Sequence, residues 1–186
     1  MTKQPKTRPA VFLDRDGVLI RDSAWPHKPE HLDILPGTVA GLQILRRAGF
    51  SLIVVSNQSG VARGMFSEEQ VQAFHKLLHQ ALQDEGDVAP DAWYYCPHHP
   101  EGSVPEYAIT CACRKPGIGM LEEACSNHHL GRQASWMIGD KISDMECARN
   151  AGIPGLQIRG RYETDDQAPT FADLQEAARW IIEHPR

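Results

Sequence analysis

Residues 51–55 read SLIVV, a short apolar run without polar alternation that ends at once in the polar cluster SNQSG. A strand of this kind has no face to give to water, so it belongs in a parallel sheet covered on both sides. Parallel neighbours need crossover helices, and the flanking segments supply them. Residues 10–13 form a second short apolar run, stopped by Asp14, and residues 92–95, 135–138 and 155–158 read as three more strands. Between them, Thr38 is placed to cap a helix that closes at Gly49. Ser67 and Gln70 form a capping-box pair ahead of the stripe Val71, Phe74, Leu78 and Ala81. Residues 117–127, the stretch from Asp144 to Gly152, and residues 171–184 complete the helices. The alternation predicts an α/β fold, a doubly wound, Rossmann-like parallel sheet of five strands. At 186 residues the chain is expected to form one domain over residues 1–186. Residues 1–8 read as a loose tail, and residues 96–113 as an aperiodic loop.

Twenty-four acidic against 19 basic side chains give a net charge of −5, which argues against a broad positive surface for nucleic acid or membrane. No apolar run is long enough to cross a bilayer, and Asp14 and Asp16 interrupt the only candidate secretory core. The expected location is the cytoplasm, where five cysteines are metal ligands or buried thiols rather than disulfides.

Three strands end in polar clusters: Asp14-Arg15-Asp16-Gly17, Ser56-Asn57-Gln58-Ser59-Gly60, and Gly139-Asp140-Lys141 with Asp144 one turn on. Right-handed crossovers bring all strand C-termini to one edge, where ligands of such sheets bind. Carboxylates gathered there repel one another unless a cation lies between them, and Mg²⁺ takes such oxygen ligands together with substrate phosphate. Arg114-Lys115 precedes a helix, and either cation could neutralise a phosphate.

A second constellation is Cys96-Pro97-His98-His99 followed by Cys111-Ala112-Cys113. Cys96, His98, Cys111 and Cys113 make a Cys₃His set suited to a closed, structural zinc site. His99 could replace His98, but the tighter spacing favours His98. Cys125 and Cys147 sit in helical, apolar contexts and read as buried thiols.

In order along the chain, DRDGV, VVSNQSG, CRKP and IGDKISD resemble the four motifs of the haloacid dehalogenase-like phosphatase superfamily. The likeness runs from Val11 to about Leu156. It implies a capless haloacid dehalogenase-like fold, because the segments between motifs leave no room for a cap domain. Asp14 matches the nucleophile that forms an aspartyl-phosphate, and Asp16 the general acid and base. Ser56 and Lys115 match the pair that holds the transferring phosphoryl group. Asp14, Asp140 and the Asp16 backbone carbonyl match the Mg²⁺ ligands. Val18 departs from the pattern, since many members carry Thr there. The Cys-His segment, with NQSGVARG and GMLEEA, looks like the branch of small phosphatases acting on heptose bisphosphate and histidinol phosphate. That branch implies removal of the C7 phosphate from a heptose 1,7-bisphosphate in lipopolysaccharide-core precursor synthesis, with histidinol phosphate as the alternative substrate. It implies substrate contacts at Asp22, Ser23, Ala24, Trp25, Ser56, Asn57, Gln58, Ser59, Arg114, Lys115 and Lys141. Arg114 there recognises the far end of the substrate. The partner expected is a small phosphorylated sugar met by a monomer. A zinc-stabilised interaction module without catalysis is the remaining reading, and the joint presence of Asp14, Asp16, Ser56, Lys115 and Asp140 argues against it.

Overall fold

The computed structural model describes residues 7–186. Most of the expected loose tail, residues 1–6, lies outside them. Arg8, its last residue, is tied down: its N–H donates to the His129 carbonyl at 3.3 Å, and its carbonyl accepts from Gly131 at 2.9 Å.

Strands β1 (Ala10–Leu13), β2 (Ser51–Asn57), β3 (Ala92–Cys96), β4 (Trp136–Gly139), β5 (Gly155–Ile158) and β6 (Thr170–Phe171) form one sheet. Every pairing is parallel, in the order β3-β2-β1-β4-β5-β6. Helices α1 (Thr38–Arg47), α2 (Glu68–Gly86), α3 (Gly119–His128), α4 (Ile142–Ala151) and α5 (Leu174–Glu183) connect or flank the strands. Side-chain alternation explains the unbroken apolar runs. Val11, Leu13, Leu52 and Val54 pack on one face with Leu42, Leu45, Phe74, Leu78 and Ile181. Ala10, Phe12, Ile53 and Val55 pack on the other with Met120, Leu121, Ala124 and Ala148. Both faces are dry, as a parallel sheet requires.

Some details differ from the sequence reading. The sheet has a sixth strand, β6, whose Phe171 pairs beside Ile158. Helix α5 therefore starts at Leu174, where the Asp173 carboxylate accepts from the Glu176 N–H at 2.9 Å. Gly37, at φ 81°, caps α1 in place of Thr38. The Thr38 hydroxyl is buried and donates to the Leu19 carbonyl at 3.0 Å, tying the helix to the loop after β1. Between β1 and β2 the chain forms only a short turn of 3₁₀ helix, Pro29–His31, and α1. No cap domain is inserted among the described residues.

Candidate active site

Strand order reverses direction between β1 and β4, so a crevice opens at their C-terminal ends. Asp14 follows β1, and its N–H donates to the Ile138 carbonyl of β4 at 2.9 Å. Asp140 follows β4. Gly17, at φ +89°, turns the loop back beneath it, and a Cβ there would stand 2.1 Å from Asp140 Oδ2. Only glycine allows this approach.

Lys115 is buried between two carboxylates. Its Nζ lies 2.9 Å from Asp14 Oδ1 and 2.6 Å from Asp144 Oδ1, and donates to the Val55 carbonyl at 2.7 Å. Burial pushes the Asp14 carboxyl up, but Lys115 and Lys141 overcome that and hold it below the usual carboxylate range. Asp140 goes the other way: burial, then the neighbouring Asp14 charge, push it up to about 8. Its Oδ1 is buried without a hydrogen-bond partner. Asp14, Asp140 and Asp144 each bring a carboxylate oxygen within 4.8 Å of the others. Hard oxygen donors, one of them orphaned, fit a divalent cation of the Mg²⁺ type.

The Asp16 carboxylate is turned toward Arg15, whose Nε donates to Oδ1 at 2.7 Å and Nη2 to Oδ2 at 3.0 Å. Gln58 Nε2 donates to the same Oδ2 at 3.1 Å and to Ser56 Oγ at 2.8 Å. Arg15 is fully buried, with its guanidinium 5.0 Å from the Phe74 ring centre. Asn57 exchanges hydrogen bonds with the Lys115 backbone, at 3.0 and 3.1 Å. The side chains of Asn57 and Gln58, expected to meet substrate, thus spend their amides on positioning Lys115 and Asp16.

A cavity of about 400 Å³ lies above these groups, lined by Asp16, Asn57, Ser59, Arg114 and Lys141 together with Asp22, Ala24 and Trp25. Ala24 and Trp25 take left-handed φ values of 63° and 61°, and Trp25 Nε1 points to Ser59 Oγ at 3.4 Å. Ser23 is exposed and outside the lining. Arg114 donates from Nη1 to the His98 carbonyl at 3.2 Å, which joins the cavity wall to the Cys-His loop.

In that loop Cys96, His98, Cys111 and Cys113 converge with donor atoms within 4.8 Å of one another. The sulfur separations are 3.2 to 3.5 Å, and all three thiols are free. Burial pushes the Cys96 and Cys113 thiols up, whereas at Cys111 burial is overcome by hydrogen bonds from Cys113 and the Arg114 N–H, which hold it below the ordinary value. His99 is engaged elsewhere, with Nε2 3.3 Å from Arg63 and Nδ1 accepting from the Glu101 N–H. Three soft sulfurs and one imidazole fit a tetrahedral metal site.

Sequence reasoning singled out neither the buried Arg15 nor Asp144 as the partner of Lys115. It also passed over Arg161 and Tyr162, which line the cavity from the loop after β5. Arg15 carried a usable signal, since it lies between two acids at a buried strand tip. The loop after β5 has no periodicity and carried none.

A family profile described as HAD-hydrolase-like matches residues 112–180. A Yersinia pestis protein named D-glycero-β-D-manno-heptose-1,7-bisphosphate 7-phosphatase is 41% identical over 94% of this chain and 89% of its own. A Rhodopseudomonas palustris protein of the same name is also 41% identical, over 96% of this chain and 98% of its own. The chain belongs to the haloacid dehalogenase-like phosphatase family. It is a phosphomonoester hydrolase. Among solved structures, a D,D-heptose 1,7-bisphosphate phosphatase from B. bronchiseptica, complexed with magnesium and phosphate, superposes with a TM-score of 0.79. That match has 27% identity and covers 95% of this chain and 99% of the other. A Mesorhizobium loti protein described as a HAD-like phosphatase superposes at 0.86 with 32% identity, covering 100% of this chain and 92% of the other. No helix among the described residues of this phosphatase is long and apolar enough to cross a membrane.

Proposed function

We propose that this phosphatase removes the C7 phosphate of D-glycero-D-manno-heptose 1,7-bisphosphate, a precursor step toward the lipopolysaccharide core. The observation that carries the reading is the buried Asp14 carboxylate, ion-paired with Lys115 at 2.9 Å and held below the usual carboxylate range, two residues from Asp16, which lines a cavity walled by Arg114 and Lys141. The curated relatives at 41% identity carry the heptose name, which supports the substrate.

The Asp14 oxygen attacks phosphorus, the bond from phosphorus to the C7 oxygen breaks, and an aspartyl-phosphate forms. Lys115 removes the repulsion between two anions and stabilises charge on the phosphoryl oxygens, with Ser56 beside it. Asp16 gives its proton to the departing C7 oxygen. It then takes a proton from the water that cleaves the aspartyl-phosphate. Arg15 and Gln58 donate to both Asp16 oxygens, so the acid must leave one of these contacts when it carries the proton. Asp14, Asp140 and the Asp16 backbone carbonyl would hold Mg²⁺, which neutralises phosphoryl charge when bound. Cys96, His98, Cys111 and Cys113 would hold a structural zinc that fastens the loop behind Arg114. We further propose a single phosphatase domain acting as a monomer in the cytoplasm on this small sugar, with no nucleic-acid or membrane partner.

Steady-state kinetics with Mg²⁺ test the substrate. The heptose bisphosphate should exceed histidinol phosphate in kcat/KM by at least about a hundredfold, as a site built for a second charged group rejects a ligand lacking it. A preference for histidinol phosphate would replace this reading with the alternative.

A further inference from the structure

The loop after β5 enters the cavity from a side that none of the four motifs supplies. Arg161 Nη2 lies 3.0 Å from Asp22 Oδ1 and donates to the Tyr162 hydroxyl at 2.7 Å. That hydroxyl donates to Asp22 Oδ2 at 2.7 Å. Lys141 Nζ reaches the same oxygen at 3.3 Å. Both cations also lie by the Tyr162 ring, Lys141 4.6 Å and Arg161 5.0 Å from its centre. One nearly covered carboxylate thus faces two cations and a hydroxyl, and Lys141 also faces the charges of Asp14 and Asp140. Arg161 is the more accessible of the two, with 53% of its side chain exposed against 33% for Lys141.

An ion pair that only fastens a loop has no need of a place in the site. Here the more exposed cation, Arg161, lies in the wall of the cavity above Asp16, and Arg114 lines the same cavity. A guanidinium matches a phosphate in a two-pronged fork, and this one is already oriented by the tyrosine hydroxyl and ring. An incoming phosphate can draw Arg161 from Asp22 while Lys141 stays to balance the carboxylate.

We propose that Arg161, aligned by Tyr162 and Asp22, is a second anion receptor of the substrate site and binds the phosphate that is not transferred. The proposal rests on the phosphatase reading of this site and specifies the substrate class as a sugar with two phosphate groups. Asp22 then acts as a positioning residue for cations rather than as a direct contact to the sugar.

The test compares each bisphosphate with its own monophosphate. For wild type, Arg161→Ala and Arg161→Lys, kcat/KM is measured on heptose 1,7-bisphosphate and heptose 7-phosphate. Hexose 1,6-bisphosphate and hexose 6-phosphate form a second pair. In Arg161→Ala the bisphosphate-to-monophosphate ratio should fall about tenfold, the effect of one charge-assisted contact, chiefly through KM. Arg161→Lys should regain part of it. A ratio that stays at the wild-type value, or equal losses on both members of each pair, would overturn the receptor. So would a wild-type ratio near one for both pairs. If wild type instead favours the hexose pair, the heptose reading fails, while the Arg161→Ala ratio still decides the receptor. Should Arg161→Ala not fold, Tyr162→Phe removes the aligning hydroxyl, and the same ratio must fall in it for the proposal to stand.

Discussion

Two clusters of charged and metal-prone side chains stand on different foundations. Asp14, Asp140, Asp144 and Lys115 converge where β1 and β4 end above a dry sheet. Asp14 and Asp140 directly follow strands of the ladder and Asp144 sits in the first turn of α4, while Lys115, from the same irregular segment as the Cys-His set, is held by the Asn57 amide. Cys96, His98, Cys111 and Cys113 converge in a segment without helix or strand between β3 and α3. Cys96 alone is anchored at a strand end, whereas Cys111 and Cys113 are half-buried in irregular chain. Among these acids a buried lysine can do part of a metal's work, because Asn57, the Val55 carbonyl and two carboxylates define its position. In the loop no apolar core defines the positions, so the cross-link itself has to. The first cluster is therefore expected to control rate, and the second to control local order.

The sharpest break in this comparison is Asp14→Asn. The amide is nearly isosteric but cannot form an acyl-phosphate, so turnover should fall by at least about a thousandfold. The thermal midpoint should stay within about 3 °C of wild type, since the sheet beneath is untouched. A folded variant with near-wild-type activity, shown by mass spectrometry to be free of deamidation, would remove Asp14 from the role of nucleophile.

The two foundations also explain what the sequence disclosed. Strand-end clusters were legible because each polar break follows an unbroken apolar run, and topology places such breaks on one edge. The Cys-His set was legible because four soft ligands within eighteen positions rarely gather for another reason. Asp144 was visible in the motif, yet its pairing with Lys115 spans 29 positions and depends on how α4 meets the sheet. Arg15 defeats the expectation that charged side chains face water, because Asp16, Gln58 and the Pro26 carbonyl supply its partners inside. The two-residue β6 is shorter than any periodicity can reveal. Arg161 and Tyr162 find their place only through Asp22, some 140 positions away.

Breaking the second cluster should move stability first. A Cys111→Ser, Cys113→Ser double variant removes two of four donors, so metal analysis should find zinc in wild type and little in the variant. Its thermal midpoint should drop by about 5 °C, as expected for roughly 2 kcal/mol in a domain of this size. Because the His98 carbonyl holds Arg114, KM for the bisphosphate should rise more than kcat falls. Wild-type protein free of zinc, with an unchanged midpoint in the variant, would leave the loop without its proposed cross-link.

The smallest effect sharpens the first cluster and concerns protons. Without a metal, Asp140 keeps its proton up to about pH 8, because burial and the nearby Asp14 charge both oppose ionisation. Its folded value lies above the ordinary 3.8, so the stability it contributes is full below that value and is lost as pH rises through about 8. A divalent cation must displace this proton to take the carboxylate. Mg²⁺ affinity should therefore rise by up to about tenfold per pH unit below 8 and level off above it, the slope of one exchanged proton. The concentration of Mg²⁺ giving half-maximal activity at pH 6, 7 and 8 reads this directly. Calorimetry in two buffers of different ionisation heat counts the proton released. In Asp140→Asn, which has no proton to lose, both the slope and the released proton should vanish along with much of the binding. A wild-type affinity that is flat from pH 6 to 8 would mean that Asp140 is already ionised in the metal-free protein. The strand-tip cluster would then tolerate more buried negative charge than Lys115 alone can balance.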